Sequence, residues 1–364
     1  ELPPQILELL GLSLREMGAV QEAVDLLREA QRRHRGDFWI NHELGHSLMA
    51  LKPPQENEAL RFYTAALAIR PRSPGAHLNL GLAHLKRIAH DEAAAAFRAA
   101  IDLKPDYAGA HYNLGNALGA AGKQDEAIAA YRTAIRLNPN DADYYNNLGN
   151  TLERKGQVDE AIEVLRTAIR LGPTDPGLAY FCLGVALARK GQVDEAITAY
   201  RTAIQRTPDL AQAHCNLGLL LQRQTKFAEA LTLLRRGHEL GSRTPRWQYP
   251  SAQWVQNCEY FADLDARLPA VLEGREKAQG IKRLEYAEFC LRMNRSNVGA
   301  ARLFAEGFAD RPDLLEDLRR GGRYNAACAA ALAGTGQGNH AEPVEESERA
   351  RWRKQAIEWL RADL

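Results

Sequence analysis

The dipeptide Leu-Gly recurs at Leu10-Gly11, Leu44-Gly45, Leu80-Gly81, Leu114-Gly115, Leu148-Gly149, Leu183-Gly184 and Leu217-Gly218, in steps of 34, 36, 34, 34, 35 and 34 residues. A fixed period of that length marks a stacked array of small units rather than one globular core. An alanine stands twelve residues after most of these glycines: Ala23, Ala93, Ala127, Ala161, Ala196 and Ala230. In the second unit it is Ala59, two residues late, with KPPQ at 52–55 absorbing the insertion. Four residues further on come Leu27, Tyr63, Phe97, Tyr131, Leu165, Tyr200 and Leu234, and a proline closes the unit at Pro71, Pro105, Pro139, Pro173 and Pro208. The spacing predicts two amphipathic helices per unit, A and B. The glycine and alanine let the helices approach, and the leucine or aromatic residue fills the gap they leave. Gly122, Gly156 and Gly191 fall where a left-handed residue ends helix A, and the proline cannot continue helix B. One such hairpin cannot bury its own apolar face, so the core must form between neighbours.

This pattern resembles the tetratricopeptide repeat (TPR) over seven units, 4–37, 38–73, 74–107, 108–141, 142–176, 177–210 and 211–244. The fourth and fifth match almost throughout, and KGQVDEAI occurs twice, at 155–162 and 190–197. The resemblance implies an all-α fold: a right-handed TPR superhelix, an α-solenoid of antiparallel helix pairs, with degenerate C-terminal units in 245–364. In that region Ala300, Phe304 and Pro312 keep repeat-like offsets, 324–338 looks like a helix A, and 348–364 looks like its helix B after an EP-containing loop. The stretch 242–256, with two prolines and two tryptophans, is expected to break the regular array. DFWINHELGHSLMAL followed by repeats and RYNAACAAALAGTGQG also resembles the repeat tail of bacterial serine/threonine protein kinases. The sequence has no HRD, no DFG and no glycine-rich phosphate loop after a strand. If that resemblance holds, a kinase domain lies upstream, and a first residue other than Met fits a fragment.

With 47 basic and 46 acidic residues, the chain lacks the charge excess of a nucleic-acid binder. No run reaches the ~18–20 apolar residues of a membrane span, and ELPPQ is no signal peptide. Cys182, Cys215, Cys258, Cys290 and Cys328 form no CxxC pair and are odd in number, which fits free thiols and a cytoplasmic location.

HELGH at 42–46 matches HExxH, with His42 and His46 on one helix face. Its Leu44 and Gly45 are already the repeat pair, and no third ligand stands at a recognisable spacing, so no metal or cofactor is expected and metal capture by the two histidines would be adventitious. GTGQG at 334–338 follows an alanine-rich helix and lacks GK[ST], so a helix stop explains it. His34, His90, His111 and His214 are expected to be packing or surface residues.

The asparagines carry more. Asn79, Asn113, Asn147 and Asn216 each precede the leucine of the repeat pair, with Cys182 in that place in the sixth unit; Asn116 and Asn150 follow the glycine, and Asn146 precedes Asn147. In TPR proteins helix A lines the concave face, so the resemblance places this column in the groove. Carboxamides donate and accept together and can hold the backbone of an extended peptide. Similar asparagine ladders occur in the repeats of O-linked N-acetylglucosamine transferases. Lys86, Arg154, Arg189 and Arg223 recur five residues after their glycines; they either form a cationic wall or complement helix C-termini. The TPR carboxylate clamp needs Lys and Arg where this chain has Tyr112, Asn146 and Asn147. The expected function is therefore a non-enzymatic scaffold binding a protein or peptide in the concave groove. Tyr112, Tyr145 and Phe181 would supply apolar contact. Self-association and the regulatory kinase tail are the alternatives.

Overall fold

The structure, a computed structural model, describes residues 2–245, 247–314, 322–335 and 345–361. Residues 336–338 of GTGQG and the loop containing Glu342 and Pro343 lie outside the described residues. Among the described residues there are 19 α-helices, one 3-10 turn and no strand. They fall into two compact units, Glu1–Leu210 and Ala211–Leu364.

The first unit is a run of helix pairs: α1 (Pro4–Glu16) with α2 (Val20–Arg33), α3 (Phe38–Ala50) with α4 (Glu56–Ile69), α5 (Pro74–Lys86) with α6 (His90–Leu103), α7 (Ala108–Ala120) with α8 (Gln124–Leu137), α9 (Ala142–Lys155) with α10 (Val158–Leu171), and α11 (Pro176–Lys190) with α12 (Val193–Arg206). Side chains set the starts of the A helices: Asp37, Ser73 and Asp175 accept from the backbone N–H three residues on, and Asp141 from that of Asp143. Gly156 and Gly191 end α9 and α11 at φ 89° and 83°, as the sequence predicts. The B helices open on Asp-Glu pairs such as Asp125 and Glu126, favourable at the positive end of a helix.

The repeat glycine holds each pair together by having no side chain. A Cβ on Gly115 would lie 2.6 Å from the Tyr131 ring, on Gly81 2.5 Å from Phe97, and on Gly149 2.5 Å from Leu165. Those partners are the residues sixteen positions later that the periodicity singles out. Each A helix also packs on the next, from α1 on α3 through α9 on α11, forming one layer. On the B layer an ionic ladder runs from pair to pair: Arg98–Glu126, Arg132–Glu160 and Arg166–Glu195, at 3.0, 2.6 and 3.0 Å. Lys123–Asp91, Lys155–Asp125 and Lys190–Asp159 run beside it.

The second unit begins with the seventh repeat, α13 (Ala211–Arg223) and α14 (Phe227–Ser242), followed by α15 (Ser251–Leu272). Residues 251–256, expected within a break, are the first turns of this 22-residue helix, and the interruption is confined to the segment before Ser251. Ser251 is buried there, accepting from the Trp247 indole N–H at 3.0 Å and pairing with His238 Nδ1 at 2.9 Å. Then come α16 (Ile281–Arg292), α17 (Asn297–Asp310), α18 (Gly322–Thr335) and α19 (Glu346–Arg361), where degenerate units are expected. No disulfide joins the five cysteines, four of which are buried, and burial pushes the Cys182 thiol up to about 12.

Candidate functional site

The asparagine column lies on the A layer. Asn113 (α7) and Asn147 (α9) are half-buried, Asn146 is buried and Asn150 exposed. They pair with one another and with tyrosines. Asn147 Nδ2 donates to Tyr112 Oη and to Asn116 Oδ1, both at 2.9 Å. Tyr131 Oη donates to the same Asn116 oxygen at 2.8 Å. Asn116 Nδ2 reaches Asn113 Oδ1 at 3.4 Å, and Asn113 Nδ2 donates to Gly109 O at 2.8 Å. The donors of Asn147 are thus spent between repeats, while its Oδ1 accepts no bond among the described residues. Tyr112 stacks on Tyr144 with centroids 4.7 Å apart. Burial is the main reason the phenols of Tyr112 and Tyr131 titrate above the usual tyrosine range. Tyr145 Oη donates to Pro139 O at 3.1 Å, and His77 and His111 meet Pro71 O and Pro105 O in the same way. That contact with the preceding loop gives His111 its structural role. Phe181 is half-buried on α11, its ring 6.1 Å from that of Tyr200.

The cations separate. Lys86, Arg154, Arg189 and Arg223 all sit in the last turn of their A helices. Arg189 is committed to Glu153, donating to its carboxylate at 2.9 Å and to its backbone oxygen. Arg154 and Arg223 are exposed and make no ion pair among the described residues. Asn216 and Arg223 belong to α13 in the second unit, and the site assembled here is that of the first unit alone.

The same three-cornered contact recurs between the second and third pairs with different residues. His42, His46 and Asn79 hold the repeat positions of Tyr112, Asn116 and Asn147. Asn79 Nδ2 donates to His42 Nε2 at 2.8 Å. The two imidazole centroids are 5.1 Å apart, and Tyr63 faces both edge-on at 5.9 Å. Glu43, between them in sequence, turns away and receives Arg15 at 2.6 Å. Burial lowers both imidazoles, His42 to about 4 with help from neighbouring His46 and Arg15. His46 Nε2 is buried and makes no well-formed hydrogen bond, although the Asn79 amide is near enough to favour the protonated imidazole slightly. Beside it opens a cavity of about 490 Å³ lined by Met49, Tyr63, Asn79, Leu82 and Lys86 among others. Sequence reasoning names Asn79 and Lys86 but misses Met49, Tyr63 and Leu82. The available signal was His46 standing where two other repeats carry Asn116 and Asn150. Among the described residues no group of three His, Cys, Asp or Glu side chains is placed to hold a metal ion. No helix among them is long and apolar enough to cross a membrane.

Against known families, the profile described as "Tetratricopeptide repeat" matches residues 112–176, and the "TPR repeat" profile matches 89–122 and 186–224. With the periodicity and the stacked pairs, these matches identify tetratricopeptide repeats within residues 89–224. No curated protein sequence matches it. Among solved structures, the APC/C hetero-tetramer Cut9–Hcn1 is similar at a TM-score of 0.57 and 18% identity, over 69% of this chain and 48% of that one. This chain therefore spans about half the length of that relative. The Pseudomonas aeruginosa pilF structure is similar at 0.51 and 17% identity, over 58% of this chain and 94% of that one. YrrB, described as a TPR protein with an unusual peptide-binding site, aligns at 0.41 and 23% identity over 50% of this chain and 93% of its own. No catalytic family is among the profile matches.

Proposed function

We propose that the chain is a protein-interaction scaffold whose first unit captures an extended peptide along the A-helix layer. The observation that supports this most is the polarised state of Asn147. Its amide hydrogens are taken by Tyr112 and Asn116, which fixes its orientation, and its oxygen is left as an acceptor. A fixed acceptor costs little to order when it meets a peptide N–H. Exposed Asn150 and Arg154 extend the same helix face with further polar groups. Half-buried Tyr112, Tyr145 and Phe181 on α7, α9 and α11 are the rings this reading assigns to apolar contact. Arg154 provides a cation for an acidic residue of the ligand, while Arg189 already has Glu153. The kinase-tail reading gains no support from the fold or the comparisons, and no observation favours self-association.

The test uses a peptide selected from a display library on the intact chain, titrated calorimetrically. Replacing Asn113 and Asn147 by Ala together should weaken it about five- to hundred-fold, from ~1–3 kcal/mol of lost hydrogen bonding. Because Asn147 also bridges repeats, melting curves accompany the titration. Undiminished affinity would remove the column from binding, and a collapsed melt with proportionate loss would make its role structural.

A further inference from the structure

The contact between the second and third pairs is a variant of the one between the fourth and fifth. In the latter, Asn116 Oδ1 accepts from both Tyr131 Oη and Asn147 Nδ2, so the oxygen is satisfied. In the former a histidine stands at that position, its Nε2 is buried and unpartnered, and the roughly 490 Å³ cavity opens beside it. That volume is within the range of small-molecule pockets. A buried polar atom without a partner is costly, and its persistence next to a cavity marks a place where a ligand group completes the bond.

We propose that this cavity receives a tyrosine side chain of the peptide partner, its hydroxyl hydrogen-bonding to His46 Nε2; the identification rests on the A layer being a peptide-binding face. Four observations choose this occupant. The walls are apolar and soft: the Met49 thioether, Leu82 and the Tyr63 ring suit an aromatic ring. His46 in the lining carries a buried Nε2 that makes no hydrogen bond, which a hydroxyl completes and a phenylalanine leaves one bond short. Burial holds its imidazole neutral, so it offers no charge to an anion. Exposed Lys86 lies on the cavity's rim, where a carboxylate beside the tyrosine can pair with it.

The full chain contains three methionines, Met17, Met49 and Met293, so ¹³C-methyl labelling gives a separate reporter in the cavity, assigned with Met49→Leu. The probes are p-cresol, toluene and zinc chloride. The expected result is a saturable p-cresol shift of the Met49 signal alone, with toluene about tenfold weaker, the value of one hydrogen bond. His46→Phe should bring p-cresol down to the toluene level. Leu82→Trp, at a residue already 37% exposed, should block both probes without disturbing His46. Equal binding of toluene and p-cresol would overturn the proposal by making the cavity merely apolar. A Met49 shift with zinc and none with p-cresol would overturn it by giving the imidazoles to a metal. No shift with either would overturn it by showing the cavity closed to ligands. Because the fragments need no peptide, these outcomes are independent of the groove reading: a library peptide that binds His46→Phe as well as the natural chain keeps the groove and removes the pocket.

Discussion

The contacts between α3 and α5 and between α7 and α9 occupy the same place in the repeat and end differently. Around Asn116 three side chains close on one another, with Tyr131, Asn147 and Asn113 all within hydrogen-bond reach. Around His46 the contact does not close in this way: Asn79 bonds to His42, Tyr63 meets the imidazoles by ring contact, and His46, its Nε2 without a hydrogen bond, lines a cavity. The repeat thus supplies a frame in which two exchanges, His42 for the tyrosine and His46 for the asparagine, replace a closed cross-link by a junction beside a cavity. A solenoid tolerates this because each junction depends mainly on its immediate neighbours.

The largest test of that difference is steric. Gly115 and Gly45 lie equally close to their tyrosines, with an added Cβ at 2.6 and 2.7 Å from the rings. Both rings are buried, but Tyr131 is pinned by its bond to Asn116, whereas Tyr63 makes no such bond among the described residues and borders the cavity, into which it can tip. Gly115→Ala should cost about 3 kcal/mol, the upper end for overpacking. Gly45→Ala should cost about 1 kcal/mol, the gain in helix propensity offsetting part of the strain. Thermal melts rank the two, and hydrogen exchange should place each loss in its own and adjoining pairs. Equal losses would mean that the cavity gives Tyr63 no freedom.

Acid should separate the junctions next. His42 titrates near 4 in the folded chain against 6.5 for a free imidazole. Below 6.5 the unfolded chain takes up a proton that the folded one refuses, so stability is complete above that pH and falls as pH drops toward 4. The loss is about 2 kcal/mol after allowance for partial exposure. Native-state hydrogen exchange at pH 7 and pH 4.5 should show α3–α5 opening more readily in acid, and His42→Phe should flatten the difference. An identical acid response in α7–α9 would contradict the assignment, because the Tyr112, Asn116 and Asn147 contact contains no histidine.

The difference in legibility between the fold and the site follows from the same geometry. Glycine at 45, 81, 115, 149 and 184 is demanded by the approach of a ring or leucine sixteen or eighteen residues on, so periodicity alone exposed the pairs. Past the seventh repeat the close approach moves to the other helix: Gly307 of α17 lies against Leu284 of α16, so the Leu-Gly register ends there while the helices continue. Asparagine recurrence was visible in the same way, but its use was not. Whether Asn147 reaches solvent or Tyr112 depends on how one repeat packs on the next, across 35 residues. The cavity was less legible still, because HELGH is fully explained as a repeat helix, and the space beside His46 is a property of three helices together.

A smaller effect concerns the tyrosine hydroxyls. Tyr131 Oη donates to Asn116, while Tyr63 Oη makes no hydrogen bond among the described residues. Tyr131→Phe should therefore cost about 1 kcal/mol, and Tyr63→Phe should leave the melting temperature where it was. A matching loss in Tyr63→Phe would reveal a hydroxyl partner in the cavity, such as ordered water, and the junction would be less open than it looks.

The smallest expected difference lies on the B layer, between an ion pair linking the first two helix pairs and one behind the α7–α9 junction. Arg28–Glu58 spans α2 and α4 at 2.7 Å with side chains 33% and 30% exposed, and Arg132–Glu160 spans α8 and α10 at 2.6 Å with side chains 54% and 40% exposed. The first is also better held, since Arg28 Nε and Nη2 both reach Glu58 and Nη2 reaches Gln55 as well. Exposed pairs gain little in high dielectric and lose side-chain freedom to form. A double-mutant cycle should give about 0.3 kcal/mol for Arg132–Glu160 and about 0.8 kcal/mol for the forked pair. At 1 M salt the Debye length is near ~3 Å, so both couplings should shrink, the more exposed one to nothing measurable. If both kept their full value in salt, the ladder would stabilise the stack through packing of the arginine stems against neighbouring helices. Arg→Met variants, which keep the stem and remove the charge, would then melt like the natural chain.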